Sequence, residues 1–367
     1  MRIVKTLRIA ALVAMLVSVC SGNASAAPAT TGGQPKSIMI QVASWGTSTS
    51  DLVSKMDYIC AEHRDRAKPG LIQNLVLMDV ASADPDASPL ETTPTANDVL
   101  LTDRIDALLP YFPGGNGLCN FDNVFVGTVD LNGAKPAGTD DKWITYRDGI
   151  KDPNFRTNML QRSLKVAQAF QDYVSKSNNP KVVYHWYVTQ EALLEAFADP
   201  AVEQGYEAFM IQHVEDLSTV APNRAFIWSP GFQALPDNVG AADKTVLETN
   251  LKTFFNNVRS GVRPYNAYQA NNGGPLWLHM QDHVGSMASF YPRMTKEDAA
   301  SWYVFVKGLF PFTNIGMNVE QFTTINWKCC SAADPTELMN REQYYLQQNI
   351  ALGAAFELRY WYSNNHP

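Results

Sequence analysis

Two glutamates stand where short apolar runs of the sequence end. Glu191 follows the run 181–189 by two residues, and Glu320 closes the run 315–320. Two carboxyl groups can act on one bond, the first donating a proton and the second attacking or activating water. Hydrolysis of a glycosidic bond needs such a pair, about 5 Å apart for retention of configuration and roughly 6.5–9.5 Å apart for inversion. Glu191 and Glu320 are therefore the candidate catalytic residues.

Further polar and aromatic residues share a strand face with these glutamates or lie beside a residue that does, because side chains alternate between the two faces of a strand. Such groups bind sugar hydroxyls, and indole rings stack on sugar rings. Asp282, beside the inward Gln281, is an alternative candidate for the acid. We expect Tyr187 to steady the charge of the Glu320 carboxylate. The candidate substrate-binding residues are Trp45, Asp130, His185, Tyr187, Trp277, His279, Gln281, Asp282, Asn318 and Trp361.

These residues need a scaffold in which strand ends converge. Eight apolar runs bounded by turn residues alternate with segments of helical periodicity. The predicted strands are residues 37–45, 71–80, 123–131, 181–189, 225–229, 275–281, 315–320 and 356–361. The predicted helices are residues 50–63, 96–109, 155–177, 201–220, 244–259, 296–309 and 337–352, with Thr295 as a helix cap.

Eight strand–helix repeats predict an α/β fold, a closed (β/α)8 barrel in a single domain over residues 37–367. An open doubly wound sheet is the alternative, but no Gly-x-Gly-x-x-Gly turn follows the first strand. In a (β/α)8 barrel the reacting groups lie at the carboxyl ends of the strands. Glu191 and Glu320 fall at the ends of the fourth and seventh predicted strands.

Three segments near these residues carry a family resemblance: Trp-Tyr-Val-Thr-Gln-Glu at 186–191, Ile-Trp-Ser-Pro-Gly-Phe at 227–232 and Gln-Asp-His-Val-Gly at 281–285. They resemble a bacterial family of glycosidase-like (β/α)8 barrels catalogued as a domain of unknown function. That family's fourth strand usually reads aromatic-Tyr-Ile-Pro before an acidic residue, and Thr189-Gln190-Glu191 departs from this pattern. The placement of both glutamates is also similar to the clan of retaining barrel glycosidases, where Asn commonly precedes the acid and Gln190 stands here. The resemblance implies a retaining glycoside hydrolase.

The N-terminus has the pattern of a secretory signal peptide. Basic residues precede the apolar run 9–19, and Ala24-Ser25-Ala26 forms a small-residue cleavage site. We expect cleavage near Ala26, a linker over residues 27–36, and a secreted protein, extracellular or periplasmic. A lipid anchor on Cys20 is the alternative, although Val19 before it fits such a signal poorly.

Four cysteines remain after such cleavage: Cys60, Cys119, Cys329 and Cys330. In an exported chain they are expected to form disulfides, and three pairings are open. A bridge between Cys60 and Cys119 is plausible because both lie outside the predicted strands. Cys329 and Cys330 could bridge each other or each reach elsewhere.

Charge and composition limit the classes of molecule that the protein is expected to bind. The formal net charge is −7, and loss of the basic leader would make the chain more acidic. Acidic proteins bind nucleic acids and anionic membranes poorly. No later segment has the roughly 20 consecutive apolar residues that membrane insertion needs. With 18% charged and 11% aromatic residues, the composition favours a neutral carbohydrate substrate, and no cofactor is expected.

Two other functions fit parts of the pattern. His279 and His283, with Asp130, could bind a divalent metal as in polysaccharide deacetylases, but the paired aspartates that close the first strand of those enzymes are missing here. We therefore predict no metal site. A barrel that binds carbohydrate without turnover is the other alternative, since a fold does not prove activity.

Overall fold

The computed structural model describes residues 35–43, 48–63, 72–82, 98–129, 149–232, 241–268, 275–286, 288, 293–310, 314–325 and 328–365. The predicted signal peptide, residues 1–26, lies outside these segments, as does the predicted linker apart from Pro35 and Lys36. Within the described part of the chain, every helix is too short or too polar to serve as a membrane span.

Eight parallel strands form a closed barrel in a single domain. Each strand pairs with the next one along the chain, and the eighth pairs with the first. The predicted fold is confirmed. The strands are β1 (Ser37–Ile40), β2 (Asn74–Leu77), β3 (Asn123–Gly127), β4 (His185–Val188), β5 (Phe226–Trp228), β6 (Leu276–Gln281), β7 (Ile315–Glu320) and β8 (Leu352–Phe356). Two short antiparallel hairpins flank the barrel and pair Ala81–Ser82 with Val99–Leu100 and Phe322–Ile325 with Lys328–Ala332.

In the described part of the chain, an α-helix follows each barrel strand. The helices are α1 (Thr49–His63), α2 (Thr102–Leu108), α3 (Pro153–Lys176), α4 (Pro200–Val220), α5 (Ala241–Val262), α6 (Lys296–Leu309), α7 (Pro335–Gln347) and α8 (Leu358–Asn365). Helices α3, α4 and α7 each begin with an aspartate cap followed by proline. The aspartate side chain accepts a backbone N–H that has no partner within the helix, and proline has no N–H to satisfy. Helix α6 begins with the predicted Thr295 cap, whose hydroxyl accepts the Asp298 N–H at 3.2 Å in a reciprocal capping box.

The strands separate two apolar layers. Trp186, Met280 and Met317 belong to the layer between strands and helices, whereas Tyr187 and Ile227 belong to the cluster inside the barrel. Neighbouring Trp186 and Tyr187 of β4 thus lie on opposite sides of the strand layer, as alternation along a strand requires. This alternation turns the side chains of Gln281 and Glu320 to the interior.

The eighth strand lies earlier in the chain than predicted. Residues 356–361 were expected to form it, but the strand ends at Phe356 and α8 begins at Leu358. Asn349, with φ of 56°, adopts the left-handed conformation that ends α7. The strand is rich in Gly and Ala, so it lacks the large apolar residues by which the other strands were predicted. Glycine is needed where β7 and β8 pass closely, since a Cβ on Gly316 of β7 would lie 2.6 Å from the Gly353 Cα.

A disulfide joins Cys60 of α1 to Cys119, which precedes β3, with their Cα atoms 5.5 Å apart. The expected Cys60–Cys119 pairing is confirmed. Cys330 is also disulfide-bonded, and its partner lies outside the described side chains. The first bridge closes a long loop and restricts the unfolded chain.

Candidate active site

Glu320 is the last residue of β7 and its side chain is buried. Its Oε2 accepts the Ser286 N–H at 2.6 Å. Gly285 lets the chain pass this closely, since a Cβ there would lie 3.1 Å from Oε2 and would overlap the Phe322 carbonyl. Burial raises the pKa of the Glu320 carboxyl, while hydrogen bonds from Ser286 and the charge of Arg341 lower it. The site thus offers donors to the charged form of this carboxylate.

Glu191 lies three residues beyond the end of β4 and remains partly exposed. Neighbouring strands hold its loop in place: the Trp228 indole donates to the Gln190 carbonyl at 2.8 Å, and the Gly231 N–H donates to the Ala192 carbonyl at 2.8 Å. Both bonds come from β5 and the residues just after it. The backbone on each side of Glu191 is therefore fixed.

The Glu191 carboxyl group accepts a hydrogen bond from the Tyr187 hydroxyl at 3.0 Å and another from the Gln281 amide. Removal of this carboxyl from water raises its pKa to about 7, and the charge of Glu320 raises it further against these two bonds. The charge of Glu320 therefore acts on the Glu191 carboxyl group. Tyr187 was expected to steady Glu320, but its hydroxyl donates to Glu191.

A polar layer lies below the two glutamates inside the barrel. Gln281 Nε2 donates to the Ser229 carbonyl at 2.8 Å, and Asn318 Nδ2 donates to Ser229 Oγ at 2.9 Å. Ser229 Oγ in turn donates to the His279 carbonyl at 2.6 Å. Asn318 Oδ1 and His279 Nδ1 are buried and have no partner among the described residues. Gln281, Asn318 and His279 thus lie with the glutamates as predicted, whereas Ser229 was not predicted.

Two predicted substrate-binding residues point inward but lie at the wrong end of the barrel. His185 begins β4, where its Nε2 bonds Asn123 Oδ1 at 3.2 Å and its Nδ1 accepts the Ala225 N–H at 3.2 Å. Trp277, the second residue of β6, packs against Phe125, with ring centroids 5.1 Å apart. Alternation gives the face of a strand but not the height along it. Both residues form the base of the barrel, away from the two glutamates.

Two more predicted substrate-binding residues point away from the barrel interior. Asp282 is fully buried beneath Glu320, and both of its carboxylate oxygens accept protein donors. Trp361 lies in α8 rather than in the last strand, and its ring packs against His63, with centroids 4.9 Å apart. The assignment of Trp361 failed because the eighth strand was misplaced. Trp45 and Asp130 lie outside the described residues.

The two histidines of the predicted metal-site alternative, His279 and His283, do not point into one site. His279 faces the barrel interior, whereas His283 lies after β6 and its Nε2 abuts Gly231. Burial lowers the pKa of both imidazoles to about 4. In the part of the chain that is described, no group of three His, Cys, Asp or Glu residues could hold a metal ion. The proposed third ligand, Asp130, is outside that part.

A second pair of carboxyl groups lies across the barrel end. Asp79 follows β2 and accepts the Ala43 N–H at 2.9 Å, and Glu357 follows β8 and pairs with Arg359 at 3.1 Å. Burial raises the pKa of Asp79 to about 6 and that of Glu357 to about 7, and the charge of Asp79 adds to the Glu357 shift. Both of these side chains are buried, whereas Glu191 is partly exposed.

No protein-family model matches the sequence, and the search of curated proteins finds no match. Solved structures with a similar chain course include a putative alpha-L-fucosidase from Bacteroides thetaiotaomicron, 12% identical, with a TM-score of 0.48 over 93% of this chain and 91% of that one. A GH18 chitinase from Pseudoalteromonas aurantia is 12% identical, with a TM-score of 0.44 over 88% and 92%.

An intracellular xylanase from Thermoanaerobacterium saccharolyticum is also 12% identical, with a TM-score of 0.43 over 89% of this chain and 86% of that one. All three are barrels named for action on carbohydrates. At these identities and TM-scores, the reaction of the present chain has to be argued from its own residues.

Proposed function

We propose that the protein is a secreted glycoside hydrolase that cleaves a polysaccharide or oligosaccharide with retention of configuration. In this proposal Glu320 is the nucleophile and Glu191 is the general acid and base. The observation that carries it is the contrast between two interacting carboxyl groups. Burial raises the pKa of both carboxyl groups, that of Glu191 to about 7, but Glu320 also receives a backbone N–H and lies near the positive charge of Arg341, which both favour its ionised form. A proton donor beside an ionised partner is what glycosidic cleavage needs.

The first step joins Glu320 to the sugar. Protonated Glu191 gives its proton to the glycosidic oxygen as a Glu320 carboxylate oxygen attacks the anomeric carbon, and the C–O bond to the leaving group breaks. The negative charge on Glu320 is consumed in the new bond. Glu191, now ionised, is stabilised by the Tyr187 hydroxyl and the Gln281 amide.

The second step releases the sugar. The Glu191 carboxylate takes a proton from water, which attacks the anomeric carbon and frees Glu320. Tyr187, Gln281, His279 and Asn318 are proposed to place the sugar, the last two through polar atoms that lack a partner among the described residues. Secretion through the leader at residues 1–26 is part of the proposal, and the Cys60–Cys119 disulfide supports an oxidising compartment.

The experiment compares wild type with Glu191→Gln and Glu320→Gln on a panel of bacterial and plant polysaccharides, measuring released reducing ends with and without chelator. We expect each variant to lose about 10²–10⁴-fold in kcat and chelator to have no effect. The matched control is Glu203→Gln, because Glu203 lies in α4 outside the barrel and burial also raises its pKa to about 7.

Other outcomes would redirect the proposal. Unchanged activity in both variants would contradict the two-glutamate mechanism. Release of acetate that stops with chelator would indicate a deacetylase. Binding of a glycan without release of reducing ends or acetate would indicate a non-catalytic carbohydrate-binding barrel.

A further inference from the structure

We propose that Asp282 and Arg341 act together as positioning residues that hold the backbone of Glu320 from both sides. The inference rests on the proposed function and extends it to two residues that do not touch the reacting atoms. Asp282 lies just after β6, and Arg341 lies in α7. Glu320 lies between them at the end of β7.

Three contacts close a ring around one peptide segment. Asp282 Oδ1 accepts the Glu320 N–H at 3.2 Å, and Arg341 donates to the Glu320 carbonyl at 2.5 Å. Asp282 Oδ2 and Arg341 Nη1 form an ion pair at 3.2 Å. The backbone N–H and C=O of Glu320 are thus held by the side chains of Asp282 and Arg341, which form an ion pair with each other. Rotation of the Glu320 backbone would break at least one contact.

The ion pair is buried, with 0% of the Asp282 surface and 1% of the Arg341 surface exposed. The Tyr345 hydroxyl donates to Asp282 Oδ2 at 3.1 Å from one turn further along α7. A buried ion pair is poor evidence for stability, because desolvation of both charges offsets their attraction. Its contacts here converge on Glu320, which indicates a role in fixing that residue against Ser286.

The pair also sets the charge around Glu320. The charge of Arg341 lowers the pKa of Glu320, and the Asp282 and Glu320 carboxylates repel each other. Loss of Asp282 would leave Arg341 unbalanced and lower the pKa of Glu320. Loss of Arg341 would leave two buried carboxylates together and raise it. Among the residues that the structure describes, the titratable and charged groups that face Glu320, Asp282 or Arg341 are Glu191, His283, Glu337, Glu342 and Tyr345.

The test uses Asp282→Asn, Arg341→Met and the double variant in the full chain. We expect each single variant to lose about 10- to 100-fold in kcat with KM within about threefold of wild type. The acid limb of the rate profile should move to lower pH in Asp282→Asn and to higher pH in Arg341→Met. In the double variant it should return toward the wild-type position.

The matched control is Asp98→Asn, which removes the partner of Arg162 in another buried ion pair. This variant tests the cost of breaking such a pair elsewhere and should move neither kcat nor the acid limb. The inference would be overturned if the acid limb shifted in the same direction in Asp282→Asn and Arg341→Met. It would also be overturned if these two variants and the Asp98→Asn control lost kcat equally. Circular dichroism checks that each variant is folded. If either ion-pair variant is unfolded, Tyr345→Phe is the milder substitute, because it removes only the hydroxyl that donates to Asp282. We expect it to lose a few-fold in kcat, and an unchanged kcat would contradict the inference.

A second readout separates this inference from the proposed function. Carbon-13 NMR of glutamate-labelled protein follows the titration of the Glu320 carboxyl directly, with Glu320→Gln assigning its resonance. The pKa of Glu320 is expected to move in opposite directions in Asp282→Asn and Arg341→Met even if no glycan is cleaved. An unaltered Glu320 titration would overturn the inference, whereas activity retained in Glu320→Gln would overturn only the proposed function.

Discussion

Glu191 and Glu320 carry the same chemical group but differ in their donors. The Glu191 carboxyl is bonded by side chains, the Tyr187 hydroxyl and the Gln281 amide, and its pKa is raised to about 7 by burial. Glu320 is bonded by the Ser286 side chain too, but also by the backbone N–H of Ser286, which cannot rotate away. Side-chain donors can follow a group that changes protonation twice in each cycle, and a fixed backbone donor suits a group that stays charged until it reacts.

The first prediction concerns the alkaline limb of the rate profile. As pH rises through about 7, Glu191 loses the proton that the leaving group needs, so kcat/KM should fall there. Tyr187→Phe removes a donor to the charged form, which raises the pKa of Glu191. The alkaline limb should then move upward by about one pH unit.

The control is Tyr184→Phe, because Tyr184 faces the helical layer and bonds Gln171 rather than Glu191. Its alkaline limb should coincide with that of wild type. Profiles of kcat/KM between pH 4 and 9 measure both, and a Tyr187→Phe limb that moves downward would contradict this role for Glu191.

The candidate pair could be predicted from the sequence because Glu320 closes an apolar run and Glu191 follows another by two residues. Ser286, Arg341 and Tyr345 could not, since they meet Glu320 or Asp282 only through tertiary packing. Asp282 follows the inward Gln281, so alternation along the chain turns its side chain outward beneath Glu320, away from the barrel interior. One signal was available: a buried carboxylate is commonly paired with a cation, and Arg341 of α7 is the partner of Asp282.

At the scale of the strand, the alternation of apolar and polar residues predicted the face of side chains such as Tyr187, Gln281 and Glu320. It did not predict where the strand begins in the barrel. His185 was predicted from the run 181–189, but β4 begins only at His185, so this histidine lies at the base. There it continues a hydrogen-bonded row of Ser37, Asn74 and Asn123 across neighbouring strands.

This placement gives the second prediction. His185→Leu should lower the free energy of unfolding by about 1–3 kcal/mol, because Asn123 and the Ala225 N–H lose a buried partner. KM and kcat should stay within about twofold of wild type, since the site lies at the opposite end of the strands. Urea unfolding and steady-state kinetics measure the two effects. A large rise in KM with unchanged stability would instead return His185 to the substrate.

Helix α6 provides the third prediction. Thr295 and Asp298 form a reciprocal capping box at its start. Thr295→Ala should lower the free energy of unfolding by about 1 kcal/mol, because the Asp298 N–H loses its acceptor. Thr295→Ser is the control and should stay close to wild type. Equal stability of the Ala and Ser variants would show that the box contributes nothing.

At the scale of the whole molecule, the closed barrel was predicted from eight alternating repeats. The eighth strand was misplaced because its Gly and Ala residues carry little strand preference. Closure requires only that one strand lies between β7 and β1, so the error left the fold intact. It did displace Trp361 from the predicted site.

The disulfide gives the fourth prediction. Cys60 and Cys119 are 59 residues apart in sequence, so their bridge restricts a long loop of the unfolded chain. Replacing both by Ala should lower the free energy of unfolding by about 2–4 kcal/mol. Urea titration in non-reducing buffer measures this. A double variant as stable as wild type would show that helix packing alone holds α1 against the chain before β3.

Buried carboxyl groups give the fifth prediction. Burial raises the pKa of Asp79 to about 6 and of Glu342 and Glu357 to about 7. Between the unfolded and folded pKa values the folded protein holds more protons, so its stability should fall as pH rises from about 4.5 to 7. Glu342→Gln should flatten this dependence and stabilise the protein at pH 7.5 by about 1–3 kcal/mol. A melting temperature that rises over this range would contradict the burial of these groups.

The most direct test of the two-glutamate mechanism is chemical rescue by azide. Glu191→Ala and Glu320→Ala are each assayed on the substrate found in the polysaccharide panel, with the anomeric configuration of the products read by proton NMR. Without azide, both should be at least about 100-fold slower than wild type. With azide, Glu320→Ala should form a glycosyl azide of inverted configuration, and Glu191→Ala one of retained configuration. Wild-type rates in either variant without azide would contradict the mechanism.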